Sequence, residues 1–151
     1  MSSASPSSSV ELTFRSVYTP NFPALLHHLG ITVLVSTYQA GRLILLRSDG
    51  KILNTHFRHF KKPMGLAAER NRIAVGTAQE IRLFRNFPPV CQLLEPPGHH
   101  DACYLPRVTH VTGDIDVHEM TWVNDELWFV NTRFSCLCTL DDVNSFVPRW
   151  R

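Results

Sequence analysis

The sequence predicts an all-β fold assembled from about three consecutive units of antiparallel strands, and three observations carry that expectation. Val33-Leu34-Val35-Ser36-Thr37, Ile73-Ala74-Val75-Gly76-Thr77 and Trp128-Phe129-Val130-Asn131-Thr132 are each an apolar β-type run closed by a small polar residue and a threonine. Each is followed, four to six residues later, by a second apolar run: Leu43–Leu46, Ile81–Phe84 and Cys136–Leu140. The closing threonines lie 40 and 55 residues apart, and self-similarity at a period of about 40–50 residues marks propeller blades and other stacked β-units. The competing explanation is that short antiparallel hairpins look alike by chance; the shared order of runs and the absence of a long helical period between them favour the repeat. The expectation is a partial β-propeller. Such rings close only with roughly four to eight blades, so the chain reads as an N-terminal portion of a longer propeller, with open strand edges suited to self-association.

The elements follow in order. Residues 1–9 are a Ser-rich tail that cannot bury apolar area and is expected to be disordered. A single domain is expected over 10–151, opening with loose alternation from Val10 to Tyr18 that suits a strand. Pro20-Asn21-Phe22-Pro23 breaks it, and Ala24–Leu29 is a helical turn ended by Gly30, suited to a left-handed cap. Ile31–Thr37 and Leu43–Leu46 flank a turn at 38–42, and Ser48-Asp49-Gly50 leads into a third strand over Lys51–Phe60. The second unit starts at Pro63-Met64-Gly65-Leu66-Ala67, turns at Glu69-Arg70-Asn71 and continues through Arg72–Gly76. The third starts at Asp116–Trp122, turns at Asn124-Asp125, continues through Glu126–Asn131, and has a last strand near Ser145-Phe146-Val147. Between the second and third units, residues 87–114, rich in Pro, Gly and His, read as a long inter-blade insertion, the sort of segment that carries binding residues. Trp122, Trp128, Val130, Leu34, Val35, Ile73 and Val75 are expected to be buried between blades.

Composition excludes more than it names. With 151 residues, 44% hydrophobic and 19% charged, the chain can bury one sizeable core. Its net charge of +2 is unevenly spread: residues 1–85 hold 11 Lys/Arg against 4 Asp/Glu, and 86–151 hold 4 against 9. No basic run exceeds Lys61-Lys62, which argues against nucleic-acid binding. The sequence has no secretory signal pattern and no apolar run of membrane-spanning length. Four cysteines without a signal suit reduced thiols and a cytoplasmic setting.

The segment His118-Glu119-Met120-Thr121-Trp122, continuing to Asn131, resembles a strand of regucalcin/gluconolactonase-like propellers, and Pro63-Met64-Gly65-Leu66-Ala67 resembles that family's Pro-Asn-Gly strand. Those propellers bind a divalent metal in the central channel through a Glu and an Asn. Here His118 falls at the Glu position and Met64 at the Asn position, so the resemblance implies a blade more than a lactonase. Val35-Ser36-Thr37-Tyr38-Gln39-Ala40-Gly41-Arg42-Leu43, Gly98-His99-His100-Asp101 and the stretch from His118 to Ser135 are together similar to a bacterial family of conserved hypothetical proteins with a propeller-like domain of unknown function. That resemblance spans most of 30–150 and implies an unassigned function in longer chains.

His118 and Glu119 are the best chemical candidates, since His can hold metal or a proton near neutral pH and Glu can serve as base or ligand. On a regular strand they point to opposite faces, so one faces a channel while the other packs; the plainer alternative is a hydrogen-bonded structural pair. Asn131 and Arg133 end the neighbouring strand, where Arg133 suits a carboxylate or phosphate clamp or, more plainly, a surface salt bridge. Tyr38 and Gln39, in the first turn, complete the ligand-binding candidates. His99-His100-Asp101 resembles a metal box but lacks a second arm of zinc spacing, although His110 lies further on; a polar loop rim is the plainer reading. Cys136 and Cys138 share a strand face and read as packed small hydrophobes. No nucleophilic triad, glycine-rich phosphate loop or HExxH motif is present. The sequence therefore supports a module that binds a small polar ligand or a protein partner, with a metal-assisted, lactonase-like hydrolase of sugar-derived substrates as the alternative. No cofactor is required, and a divalent metal at His118 and Glu119 is compatible.

Overall fold

The structure is a computed structural model, and it describes residues 16–151. Strands in three antiparallel sheets account for just under half of them. The first contains β1 (Val33–Thr37), β2 (Arg42–Ser48) and β3 (Leu53–His59). The second contains β4 (Leu66–Glu69), β5 (Arg72–Gly76), β6 (Glu80–Asn86) and β7 (Tyr104–Val111). The third contains β8 (Val117–Val123), β9 (Glu126–Asn131), β10 (Cys136–Thr139) and β11 (Val147–Trp150). Among the described residues there are also two short helices, α1 (Phe22–Leu29) and α2 (Pro88–Cys91). The all-β expectation holds. Of the strand expected over Val10–Tyr18, residues 10–15 lie outside the described residues, and Ser16, Val17 and Tyr18 form no strand.

Local chemistry sets the element ends. Pro23 pre-sets the first turn of α1, and Gly30 closes it at φ +62, its N–H donating to the His27 carbonyl. Asn124 and Asp125, both at positive φ (+47 and +69), make the two-residue turn that joins β8 and β9. The repeated threonine is a turn fastener. The Thr37 hydroxyl donates to the Arg42 carbonyl and accepts from the Arg42 N–H, while the Thr77 hydroxyl donates to the Glu80 carbonyl. In the third phrase Asn131 takes over, its Oδ1 accepting from the Phe134 N–H at 3.1 Å.

The expected insertion over 87–114 needs correcting, because its second part is strand β7, paired along β6 from Asn86↔Tyr104 to Glu80↔Val111. Pro106 hid it. The proline sits on an edge strand, at a register shift opposite Phe84, where a missing N–H is tolerated. The true loop is 87–103, with α2 inside it. The last strand is likewise Val147–Trp150, again an edge strand with a proline, and not 145–147.

The sheets stack through two apolar clusters. Leu43 and Phe60 meet Ile73 and Val75 between the first and second sheets, with Leu34, Leu45, Leu66 and Phe84 against them. Ala67, Ala74 and Ile81 meet Val117, Met120, Leu127, Phe129 and Cys138 between the second and third. β5 is buried along its whole length, and its alternate residues feed opposite clusters. Close approach between β4/β5 and β8 depends on two glycines. A Cβ on Gly65 would lie 2.6 Å from the Met120 side chain and 2.7 Å from the His118 carbonyl oxygen, and one on Gly76 would lie 2.8 Å from Val117.

The expected burial set is met in full at two of its seven positions. Ile73 and Val75 are buried, Leu34 partly so, but Val35 is exposed and Trp122, Trp128 and Val130 are only half-buried. On β9 the buried residues are Leu127, Phe129 and Asn131. The phase is shifted by one residue because the third sheet packs the Phe129 face against the second sheet. Trp128 and Val130 lie on the other face, along a shallow apolar depression with Val123 and Leu137.

Candidate functional site

The strand directions gather the turns at two ends. One end, called upper here, holds the turns after β1, β5 and β9 and the entries to β4 and β8. The Ser36 hydroxyl donates to the Met64 carbonyl across the first two sheets at 2.7 Å, and Gly65 lies against the His118 carbonyl. The other, lower end holds α1, the β2–β3 turn, the 87–103 loop and the β8–β9 turn.

All six sequence candidates fall at the upper end. Tyr38 and Gln39 sit in the β1–β2 turn, His118 and Glu119 at the start of β8, and Asn131 and Arg133 at and just beyond the end of β9. The expected geometry of the His–Glu pair is corrected. β8 carries a register shift between Val117, opposite Asn131, and Met120, opposite Phe129, so His118 and Glu119 together face one residue of β9. Both are exposed, and His118 Nδ1 lies 3.2 Å from Glu119 Oε2. They pair with each other instead of dividing between two faces. Arg133 pairs with Asp114 at 3.1 Å and Asp116 at 3.7 Å. The Lys62 ammonium lies over the Tyr38 ring at 5.5 Å, and Arg42 contacts His59. Asn131 is wholly buried, and its Nδ2 has no hydrogen-bond partner.

A polar concave space lies at the lower end. A hollow of about 530 Å³ is lined by His27, Arg47, Ser48, Asn54, Pro96, His99 and His100. A second, of about 310 Å³, shares His27, Arg47, Ser48, His99 and His100 and adds Asp101 and Tyr104. They form one cleft between α1, the β2–β3 hairpin and the loop. The hairpin wall is fixed by Asp49, whose Oδ1 accepts from the Lys51 and Ile52 N–H groups at 2.9 and 3.0 Å. Those two bonds, that of Ile52 foremost, hold the Asp49 carboxyl below its ordinary range. Gly50, at φ +95, brings the turn against α1: a Cβ there would stand 3.1 Å from the His27 ring. Arg47 donates from Nε to Asn54 Oδ1 at 3.1 Å, and no carboxylate among the described residues pairs with it.

Residues 20–151 match the family model described as Domain of unknown function (DUF4915). The chain belongs to that family. No curated protein and no solved structure matches it. The uncharacterised family expected from the sequence is thus shown, and the DUF4915 description assigns no activity to any residue.

Within the DUF4915 fold, the remaining groups with chemical potential are structural. The Cys136 and Cys138 sulfurs lie 3.4 Å apart in the core, and burial, with Cys136 beside it, pushes the Cys138 thiol up to about 12. All four cysteines are free. Arg72 bridges the second and third sheets at the lower end: it contacts Glu69 at 2.6 Å and Asp125 at 2.9 Å, and stacks 3.8 Å over the Trp122 ring. His110 borders another hollow with Trp122 and Asp125, away from His99 and His100. No group of three His, Cys, Asp or Glu among the described residues is arranged to hold a metal. No helix among them is long and apolar enough to cross a membrane. His27 and Arg47 were missed by sequence reasoning because no motif joins residues that meet only when α1 folds onto the hairpin.

Proposed function

We propose that this DUF4915 chain is a propeller-like β-module that binds a small polar ligand in the lower cleft. One observation carries the proposal: three separate segments converge polar side chains on one concave space of small-molecule size. The blade reading draws support from the stacking of successive sheets through β4, β5 and β8, and from the three phrases falling on β1, β5 and β9. The test is a ¹⁵N-labelled sample titrated with a panel of small polar compounds, charged and neutral. The expected result is that amide shifts gather at residues 27–32, 47–54 and 96–102. Shifts confined to the upper end would return the site to His118, Glu119, Asn131, Arg133, Tyr38 and Gln39.

A protein partner is supported by one feature. β5 and β9 each have two strand neighbours, whereas β1, which carries the same phrase, has only β2 among the described residues. Its other edge suits strand addition, including self-association, and sedimentation velocity across a concentration series reads this directly. The lactonase-like alternative has less support, since His118 and Glu119 pair with each other and no third donor joins them among the described residues. Four free thiols, two of them packed together in the core, support a reducing, cytoplasmic setting.

A further inference from the structure

Resting on the lower cleft as the binding site, we infer that its ligand is a small oxyanion, a phosphate- or carboxylate-bearing metabolite, gripped by Arg47 and flanked by His27, His99 and His100. The inference starts from charge. Among the described residues Arg47 is the one arginine or lysine that lines both hollows, and its Nε is committed to Asn54. That single bond fixes the plane of the guanidinium and leaves its two terminal nitrogens without a carboxylate among the described residues. Arg72, Arg82, Arg133 and Arg149 each have a carboxylate, and other arginines share with Arg47 the lack of one; what sets Arg47 apart is its place on the wall of both hollows. A planar, always-charged fork held at the wall of a cleft matches the two oxygens of a carboxylate or phosphate.

The acidic groups nearby do not cancel this. The Asp49 carboxylate lines the larger hollow and keeps its charge, but its Oδ1 is turned into its own hairpin, accepting from the Lys51 and Ile52 N–H groups. Asp101 borders only the second hollow, so the larger one keeps Arg47 and three imidazoles against a single engaged carboxylate. The carbonyl-bearing end of α1 faces the cleft, but two of its last four carbonyls are occupied: Gly30 N–H donates to the His27 oxygen at 3.1 Å and Ile31 N–H to the Leu26 oxygen at 3.2 Å. Imidazoles supply N–H donors whether neutral or charged, and Ser48 adds a hydroxyl. Together the lining offers donors from three elements to a ligand rich in acceptors.

Isothermal titration of the whole chain with inorganic phosphate, with malonate and with glucose tests the inference, with ¹⁵N spectra locating each event. Phosphate or malonate should bind with shifts at residues 27, 47, 99 and 100, and Arg47→Gln should weaken that binding at least tenfold. His99→Asn with His100→Asn, made in a loop outside the core, should weaken it with the melting temperature unchanged. This second variant covers the case in which Arg47→Gln unsettles the hairpin. Anion binding undiminished in both variants would overturn the inference. Glucose shifting the cleft amides while both anions leave them unmoved would also overturn it, yet leave the cleft as a binding site. No response there to any probe would remove both.

Discussion

The most searching test of the packing exchanges the roles of two neighbouring aromatics on β9. Phe129 is 1% exposed, with Met120 and Cys138 as its cross-strand partners, and it lies in the cluster that joins the second and third sheets. Truncating it to alanine removes a fully buried ring between two sheets, and core deletions of that kind cost about 3–5 kcal/mol. Trp128 is larger but points to the other face and is half-buried. Roughly half of a tryptophan side chain's ~250 Å², at ~25 cal/mol per Å², gives about 3 kcal/mol for its removal. Urea unfolding followed by far-ultraviolet circular dichroism measures both without relying on tryptophan emission. Phe129→Leu, expected to cost about 1 kcal/mol, keeps the comparison open if the alanine variant fails to fold. A Trp128→Ala loss clearly larger than that of Phe129→Ala would refute the assigned phase of β9 and the sheet stacking built on it.

Three further outcomes follow from the same geometry. Gly65→Ala should destabilise by about 1–3 kcal/mol, because the added carbon meets a backbone oxygen at 2.7 Å that cannot swing away; a neutral result in denaturant melts would mean that β4 and β8 are further apart. Arg72→Lys should cost about 1–2 kcal/mol and alter the near-ultraviolet dichroism of Trp122, since an ammonium cannot both stack on the ring and reach two carboxylates. An unchanged melt and spectrum would show the bridge to be ornamental. With its thiol pushed up to about 12, Cys138 should resist alkylation in the native protein at pH 8 and react only on unfolding. Because the folded value is raised, its contribution to stability is complete below about 8.5 and fades as pH rises towards 12. Cys138→Ala should flatten that alkaline limb, as followed by thermal melts from pH 8 to 11.

The strands that the sequence discloses are those whose local and tertiary signals agree. Arg72–Gly76 and Glu126–Asn131 match β5 and β9 to the residue, since apolar runs there are bounded by turn residues on one side and fastened by Thr77 or Asn131 on the other. β7 and β11 escaped because each contains a proline, which marks a break in a central strand and is harmless at an edge. Burial on β9 was misjudged for a different reason. Trp128-Phe129-Val130 is apolar at every position, so alternation carries no phase, and only the position of the neighbouring sheet decides which face is covered.

The site divides along similar lines. Residues adjacent in sequence drew attention to the upper end, where the candidate side chains pair with one another or with nearby carboxylates: Glu119 with His118, Arg133 with Asp114 and Asp116. The lower cleft instead combines His27, Arg47 and the His99–His100 pair, separated by some 20 and 50 residues of chain. Of these only the histidine pair has a local pattern, and it suggested a loop rim without naming what stood opposite. Self-satisfied charges stabilise turns, whereas an arginine held in place and left without a counter-ion favours an anion from outside. That difference in satisfaction, more than the identity of any residue, directs the search for a ligand to the lower end.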